Sequence, residues 1–172
     1  PPGVPSDFYR QLIDIARASS VPVLLDSSGA ALRQGVAAPP YLIKPNEAEV
    51  GELIGRRLKT RSDFAGAARD LAAQYQTRVV ISIGAEGAIA AGGNDVWHVR
   101  PPQIAVVSAV GSGDCLLAGV ACGLTRGFTF ETAVQYGVAA GAANALTVGA
   151  GQFTLDDFSA ILSRVAVERV SV

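Results

Sequence analysis

The sequence predicts an α/β domain: a mainly parallel sheet covered by helices on both faces. Three observations predict it. The short runs "VPVLLD", "YLIK" and "RVVISI" are apolar almost throughout, which is how strands buried on both faces read. Longer stretches of helical spacing separate these runs, and strand–helix alternation calls for parallel strands joined by right-handed crossovers. Hydrophobic residues are 49% and charged residues 17% of 172, enough apolar material for one domain with a core and too much for disorder.

The elements follow in order. Ser6 stands as an N-cap before Phe8, Leu12, Ile15 and Ala16, which share helical spacing. Val21–Asp26 is the first strand, ending in an acid, and Tyr41–Lys44 is the second. A helix follows Asn46, because Val50, Leu53 and Ile54 repeat on one face, and Ser62–Tyr75 forms another. Arg78–Ile83 is β-branched and strand-like. "GAIAA" and "DVWHV" flank Gly92-Gly93-Asn94 as a hairpin. A helix then runs from about Asp114 to Arg126, a second begins at Thr129, and the last begins at Thr154, where "TLDD" has the form of a capping box.

Composition excludes several classes. Net charge is −1 and no basic run stands out, so a nucleic-acid backbone is not an expected partner. No apolar run reaches the ~18 residues of a membrane span, and the small-residue stretch Val138–Val148 is too short. Cys115 and Cys122, seven positions apart on one helix, are roughly 10 Å apart along its axis, too far for a disulfide. They read as small buried side chains in a reducing compartment, which makes the cytoplasm the expected location. The single histidine, His98, gives a zinc site no support, and His98 and Trp97 read as packed strand residues. The chain contains no methionine and opens "PPGVPSDFYRQLI", so it is expected to be part of a longer protein.

Three segments could carry chemistry. In "VGSGDCLLAG", Gly111 and Gly113 can adopt backbone angles that let successive N–H groups converge. The helix that follows adds the positive end of its dipole, so this is a small anion site. Asp114 beside it could accept a proton from an alcohol attacking a phosphate; it could equally be a plain N-cap. Position 116 is Leu, so the segment is not a dinucleotide fingerprint, nor is it a GxxxxGK[ST] loop. In "IKPNEAEV", Lys44 closes a strand and Pro45 stops it, while Asn46 and Glu49 form an N-x-x-E helix start. The same two residues could hold a hydrated Mg²⁺ through its waters. In "SIGAEGAIA", Ser82, Gly84 and Gly87 make a tight turn, either a simple connection or a backbone shelf for phosphates. Ligands of open α/β sheets bind beyond the strand carboxyl ends. Asp26, Lys44 with Asn46, and the turn after Ile83 stand at such ends.

Taken together, "LLDSSG", "LIKPNEAEV", "VISIGAEGA" and "SAVGSGDCLLAG" resemble the carbohydrate kinases of the phosphofructokinase B/ribokinase family. The resemblance covers the whole chain and is strongest to the branch with 1-phosphofructokinase, the minor 6-phosphofructokinase and tagatose-6-phosphate kinase. It implies a three-layer, ribokinase-like α/β/α fold. The family's G-A-G-D resembles Gly111-Ser112-Gly113-Asp114, which implies Asp114 as catalytic base and the preceding amides as an anion hole. Asn46 and Glu49 match N-x-x-E, implying Mg²⁺ and phosphate positioning, and Lys44 stands in the matching K-P-N. Ser82, Gly84, Glu86 and Gly87 lie in a segment similar to the family's nucleotide-binding turn. Asn144 falls on the helix that flanks the adenine pocket in relatives. Backbone oxygens near Ser108, Val110, Thr147 and Gly149 resemble a monovalent-cation (K⁺) site.

The implied reaction is ATP- and Mg²⁺-dependent phosphorylation of a sugar phosphate of the fructose-1-phosphate, fructose-6-phosphate or tagatose-6-phosphate type, by a homodimer. A ribose or nucleoside kinase, or a relative that only binds nucleotide, are the alternative readings. Two departures stand out: Ala109 replaces the usual Thr two residues before the first motif glycine, and Ser112 replaces the motif's alanine. Family members run to roughly three hundred residues, about two typical-domain lengths. Residues 1–172 are therefore expected to be the C-terminal, nucleotide-binding portion, without the sugar-binding and lid segments, and inactive alone. A sheet divided in this way is expected to expose a strand edge and apolar faces.

Overall fold

The computed structural model describes residues 3–171. The helices are α1 (Phe8–Ala18), α2 (Gly29–Val36), α3 (Glu47–Ile54), α4 (Arg61–Tyr75), α5 (Ser112–Thr125), α6 (Phe130–Asn144) and α7 (Leu155–Leu162). The strands are β1 (Leu24–Leu25), β2 (Leu42–Ile43), β3 (Arg78–Ser82), β4 (Ala88–Gly92), β5 (Asp95–Arg100) and β6 (Ala166–Arg169), in one sheet of order β1-β2-β3-β4-β5-β6. The fold is α/β, as expected. The sheet is mixed: β1, β2 and β3 run parallel, whereas β6 pairs antiparallel with β5. The expectation of a mainly parallel sheet therefore holds only for the first three strands. A two-residue turn such as Gly93-Asn94, between β4 and β5, can join only antiparallel neighbours.

The chain divides into two compact units. The first comprises residues up to Ile81 with Ala91–Val96. Its core is Leu32, Val36, Leu42, Ile43, Val50, Ala65, Ala68, Val79, Val80 and Ile81, all buried. The predicted first strand contracts to Leu24–Leu25, and the register Leu25↔Ile43 sets the chain immediately after β1 beside the chain immediately after β2. Helix α1 forms where its spacing predicts, but Asp7, not Ser6, occupies the N-cap, and no side chain caps it. Its one buried residue is Ile13, while Phe8, Leu12 and Ile15 are 42%, 44% and 65% exposed. Asn46 and Thr60 start α3 and α4 through complete capping boxes with Glu49 and Asp63.

The second unit comprises Ser82–Ala90 with Trp97–Ser171. Here α5 and α6 pack at close range because glycine faces backbone. A Cβ on Gly119 would lie 2.7 Å from the Tyr136 carbonyl oxygen, and one on Gly137 would lie 2.6 Å from that of Leu116. That contact explains the Ala/Gly-rich run of α6. Ala139, Ala143 and Ile161 form a small core joined by Ile104, Phe153 and Phe158. Trp97 meets Phe130 edge-on, and His98 is 2% exposed, so both are packed strand residues. Cys115 is half-buried but Cys122 is exposed, which corrects the expectation that both are buried. Among the described residues no helix is long and apolar enough to cross a membrane.

Candidate functional site

Helix α5 starts two residues before the predicted Asp114. Gly111 is its N-cap, left-handed with φ 80°, so Ser112, Gly113 and Asp114 are the first three helical residues. A Cβ at Gly111 would come within 2.4 Å of the Ala150 Cβ, so both φ and space require glycine there. The simple-cap reading of Asp114 fails on this geometry, because Asp114 is at N3 and exposed. The Ser112 N–H donates to the Ala109 carbonyl at 3.2 Å. The following amides, Gly113 and Asp114, belong to the first turn, where a helix offers N–H groups without intrahelical partners. They point along the helix axis with the dipole's positive end, which suits an anion.

Asn144, at the end of α6, is completely buried. Its Nδ2 donates to the Val110 carbonyl at 2.8 Å and to Ser112 Oγ at 3.1 Å. Its Oδ1 accepts from the Gly151 N–H at 2.7 Å and from Cys115 Sγ at 3.4 Å. The resemblance implies that Asn144 lies near a nucleotide. The structure instead turns its side chain inward onto the Gly111 turn, with no exposed surface to meet a ligand. Neighbouring Ala145 adds to this anchoring, its carbonyl accepting from the amides of Val107 and Ser108 at 2.8 and 3.3 Å.

The turn after β3 is a single 3₁₀ turn, Gly84–Glu86. Its amides at Ile83, Glu86 and Gly87 donate to the carbonyls of Gly87, Ile83 and Gly84, so a phosphate shelf here would draw on Gly84 and Ala85. Ser82 ends β3 just before it. Gly87, with φ 87°, has the Val99 carbonyl 2.1 Å from where a Cβ would sit. The His98 ring makes a 2.8 Å hydrogen bond to the Glu86 carbonyl.

In the first unit, the β1/β2 register pairs two residues that the sequence puts at separate strand ends. Lys44 Nζ lies 2.9 Å from Asp26 Oδ2, with the lysine side chain 5% and the aspartate 29% exposed. Sequence reasoning singles out both residues but misses their pairing, which only strand register can show. Asn46 Oδ1 accepts from the Ala48 and Glu49 amides at 2.9 and 3.0 Å, and Glu49 Oε2 accepts from the Asn46 amide at 2.8 Å. Among the described residues no group of three or more His, Cys, Asp or Glu gathers at metal-binding distance. A single carboxylate with one oxygen spent on the backbone suits an ion held through its waters.

A glycine-capped helix start with an exposed acid at its N3 position, in an α/β fold, is an arrangement that phosphate-handling domains use. More particularly, the chain belongs to the pfkB family of carbohydrate kinases, whose model matches residues 1–157. It is 37% identical over 158 residues to the ATP-dependent 6-phosphofructokinase isozyme 2 of Mycobacterium tuberculosis, covering 91% of this chain and 46% of that protein. It is 35% identical over 167 residues to the 1-phosphofructokinase of Vibrio cholerae, covering 97% and 53%. Among solved structures it superposes on Escherichia coli phosphofructokinase-2 in complex with potassium with a TM-score of 0.90, at 33% identity, over 95% of this chain and 54% of that one. The chain thus spans about half the length of the curated relatives it matches.

Proposed function

We propose that the complete protein is an ATP-dependent sugar-phosphate kinase of phosphofructokinase type, acting on a ketose phosphate. The observation that carries this reading is Asp114, exposed at N3 of a helix whose N-cap is glycine. In the proposed reaction the Asp114 carboxylate takes the proton of the sugar's primary hydroxyl. The hydroxyl oxygen bonds to the γ-phosphorus of ATP as the bond to the β,γ-bridging oxygen breaks, and ADP leaves. The Gly113 and Asp114 amides receive the charge on the transferred group, with Gly111 shaping the turn. Preorganised donors of this kind usually lower a phosphoryl-transfer barrier more than any other single effect. Lys44, held by Asp26, and the Ser82–Gly87 turn, with Glu86, are assigned to the nucleotide.

Mg²⁺ would neutralise phosphate charge. Asn46 and Glu49 fit it through water, because the second Glu49 oxygen, Oε1, takes no part in the capping box. A monovalent cation could meet backbone oxygens near Ser108, Val110, Thr147 and Gly149, the Val110 carbonyl keeping a second lone pair beside the Asn144 amide, and no step is assigned to one. The homodimer implied by the resemblance belongs to the same proposal. The kinase reading is supported by family membership and by the likeness to proteins named phosphofructokinases.

The test is Asp114→Asn in the full-length protein, assayed on fructose-1-phosphate, fructose-6-phosphate and tagatose-6-phosphate. Turnover should fall by about 10² or more with little change in nucleotide affinity. Near-normal turnover would remove Asp114 from the mechanism. Residues 1–172 alone are expected to be inactive on the same panel.

A further inference from the structure

Asn144 is a buried polar side chain that the phosphate-handling reading leaves unexplained. A carboxamide has two N–H donors and two oxygen lone pairs. All four are used here, on Val110, Ser112, Gly151 and Cys115. These partners also fix which way the amide points. Turned over, its NH₂ would face the Gly151 N–H and its oxygen would face the Val110 carbonyl. The two residues held by Nδ2 flank Gly111, the left-handed N-cap, and the two candidate anion-binding amides follow directly.

We propose that Asn144 is a positioning residue that locks the Val110–Ser112 turn, and through it the Gly113 and Asp114 amides and the Asp114 carboxylate, in their receptive geometry. The proposal rests on the kinase reading above. A buried polar network with every member satisfied rigidifies its surroundings, and one left partly satisfied does not hold. The clamp spans three segments: residues 110–115, the end of α6, and the loop at Gly151. It also gives Ser112 a use. Where the family motif has alanine, the Ser112 hydroxyl provides the acceptor that the second Nδ2 hydrogen needs. Because a misplacement of ~1 Å at a reacting centre costs about 10²-fold in rate, a loosened turn should show in kcat before it shows in substrate binding.

The experiment uses the full-length protein and compares Asn144→Ala, Ser112→Ala, the double variant and Asp114→Asn. Circular dichroism and thermal melts establish the folded fraction, and rates are taken per folded molecule. For Asn144→Ala we expect kcat lower by about 10- to 100-fold with sugar-phosphate KM within about twofold. Ser112→Ala should lower kcat severalfold and add nothing in the Asn144→Ala background, the non-additivity of one shared device. A residue that merely stabilised the fold would lower the melting temperature and leave kcat per folded molecule unchanged. Unchanged kcat in both folded single variants, or additive effects, would overturn the proposal. If Asn144→Ala does not fold, Ser112→Ala decides alone: reduced kcat at constant KM supports the clamp and unchanged kcat overturns it. Asp114→Asn separates the two claims. Lost turnover there, with the clamp variants unaffected, sinks only the clamp; retained turnover removes Asp114 as the base and with it the clamp's purpose, and a full-length parent protein without turnover on any sugar phosphate sinks the kinase reading.

Discussion

Among the described residues four helices carry an acid at N3, and they use it in two different ways. In α3, α4 and α7 the N-caps are Asn46, Thr60 and Thr154, and the acids Glu49, Asp63 and Asp157 bond back to the N-cap amide as complete capping boxes. In α5 the N-cap is Gly111, which has no side chain to complete a box, and Asp114 stands exposed at the same position. An N3 acid bound to its own N-cap is a stabilising device whose oxygen is already spent. The same acid after a glycine cap is free of that duty, and the first-turn amides beside it meet no capping side chain. The glycine, rather than the acid, distinguishes the candidate phosphoryl-transfer centre from an ordinary helix start.

The largest expected effect comes from Gly111 itself. Gly111→Ala must hold a Cβ at φ 80° and 2.4 Å from the Ala150 Cβ. Left-handed backbone costs roughly 1–2 kcal/mol and overpacking roughly 1–3, so the urea-unfolding free energy should fall by about 2–5 kcal/mol. Turnover of the full-length protein should fall with it. Gly127→Ala is the internal reference: its φ is 77° and nothing lies within 4 Å of the added Cβ, so only the backbone cost of about 1–2 kcal/mol remains. Equal losses at the two sites would break the claim that Gly111 is held by its neighbours as well as by its φ.

Local features are legible in the sequence and distant ones are not. The Asn46–Glu49 box spans four residues, and its sequence pattern is its structure. Thr154 and "TLDD" read equally well, as does β3, an apolar β-branched run. Helix α2 escapes a sequence reading because "GAALRQGV" mixes small and polar residues, and its Leu32 and Val36 bury only through tertiary packing. Strand β6, "AVER", escapes it because it is an edge strand with two exposed charges and no apolar alternation. The Gly111–Asp114 motif is visible, but its first helical residue is not, since a glycine cap carries no side-chain signal. The hydrogen bonds of Asn144 are not legible in the sequence, because its partners Val110 and Ser112 lie 34 and 32 positions away.

Next in size is the α3 box. Asn46→Ala removes the acceptor of the Ala48 and Glu49 amides and should cost about 1 kcal/mol of unfolding free energy. Glu49→Gln sharpens the comparison further. Glutamine can keep the bond to the Asn46 amide, so stability should change by less than about 0.5 kcal/mol. It removes the negative charge, so the Mg²⁺ concentration for half-maximal turnover of the full-length protein should rise severalfold. An unchanged Mg²⁺ requirement would leave Glu49 as a cap alone, like Asp63.

The smallest effect is a pH dependence that only the box helices should show. The Thr154 hydroxyl and amide hold the Asp157 carboxyl below its ordinary range. The Thr60 and Lys59 amides, with the Thr60 hydroxyl, do the same for Asp63. A carboxyl whose folded value lies below its unfolded value stabilises the fold above the unfolded value, and that contribution disappears as pH falls through the folded one. The melting temperature of Asp157→Ala should therefore lie below that of the parent chain near neutral pH. The gap should start to close as pH drops past the ordinary aspartate range, about 3.9, and be smallest in the acid limb. Both groups are partly exposed, so the gap should also be modest and shrink with added salt where it is electrostatic. A gap that stays constant through the acid limb would mean that the uncharged Asp157 carboxyl holds Thr154 as well as the carboxylate does, and the charge of the N3 acids would lose the role assigned to it.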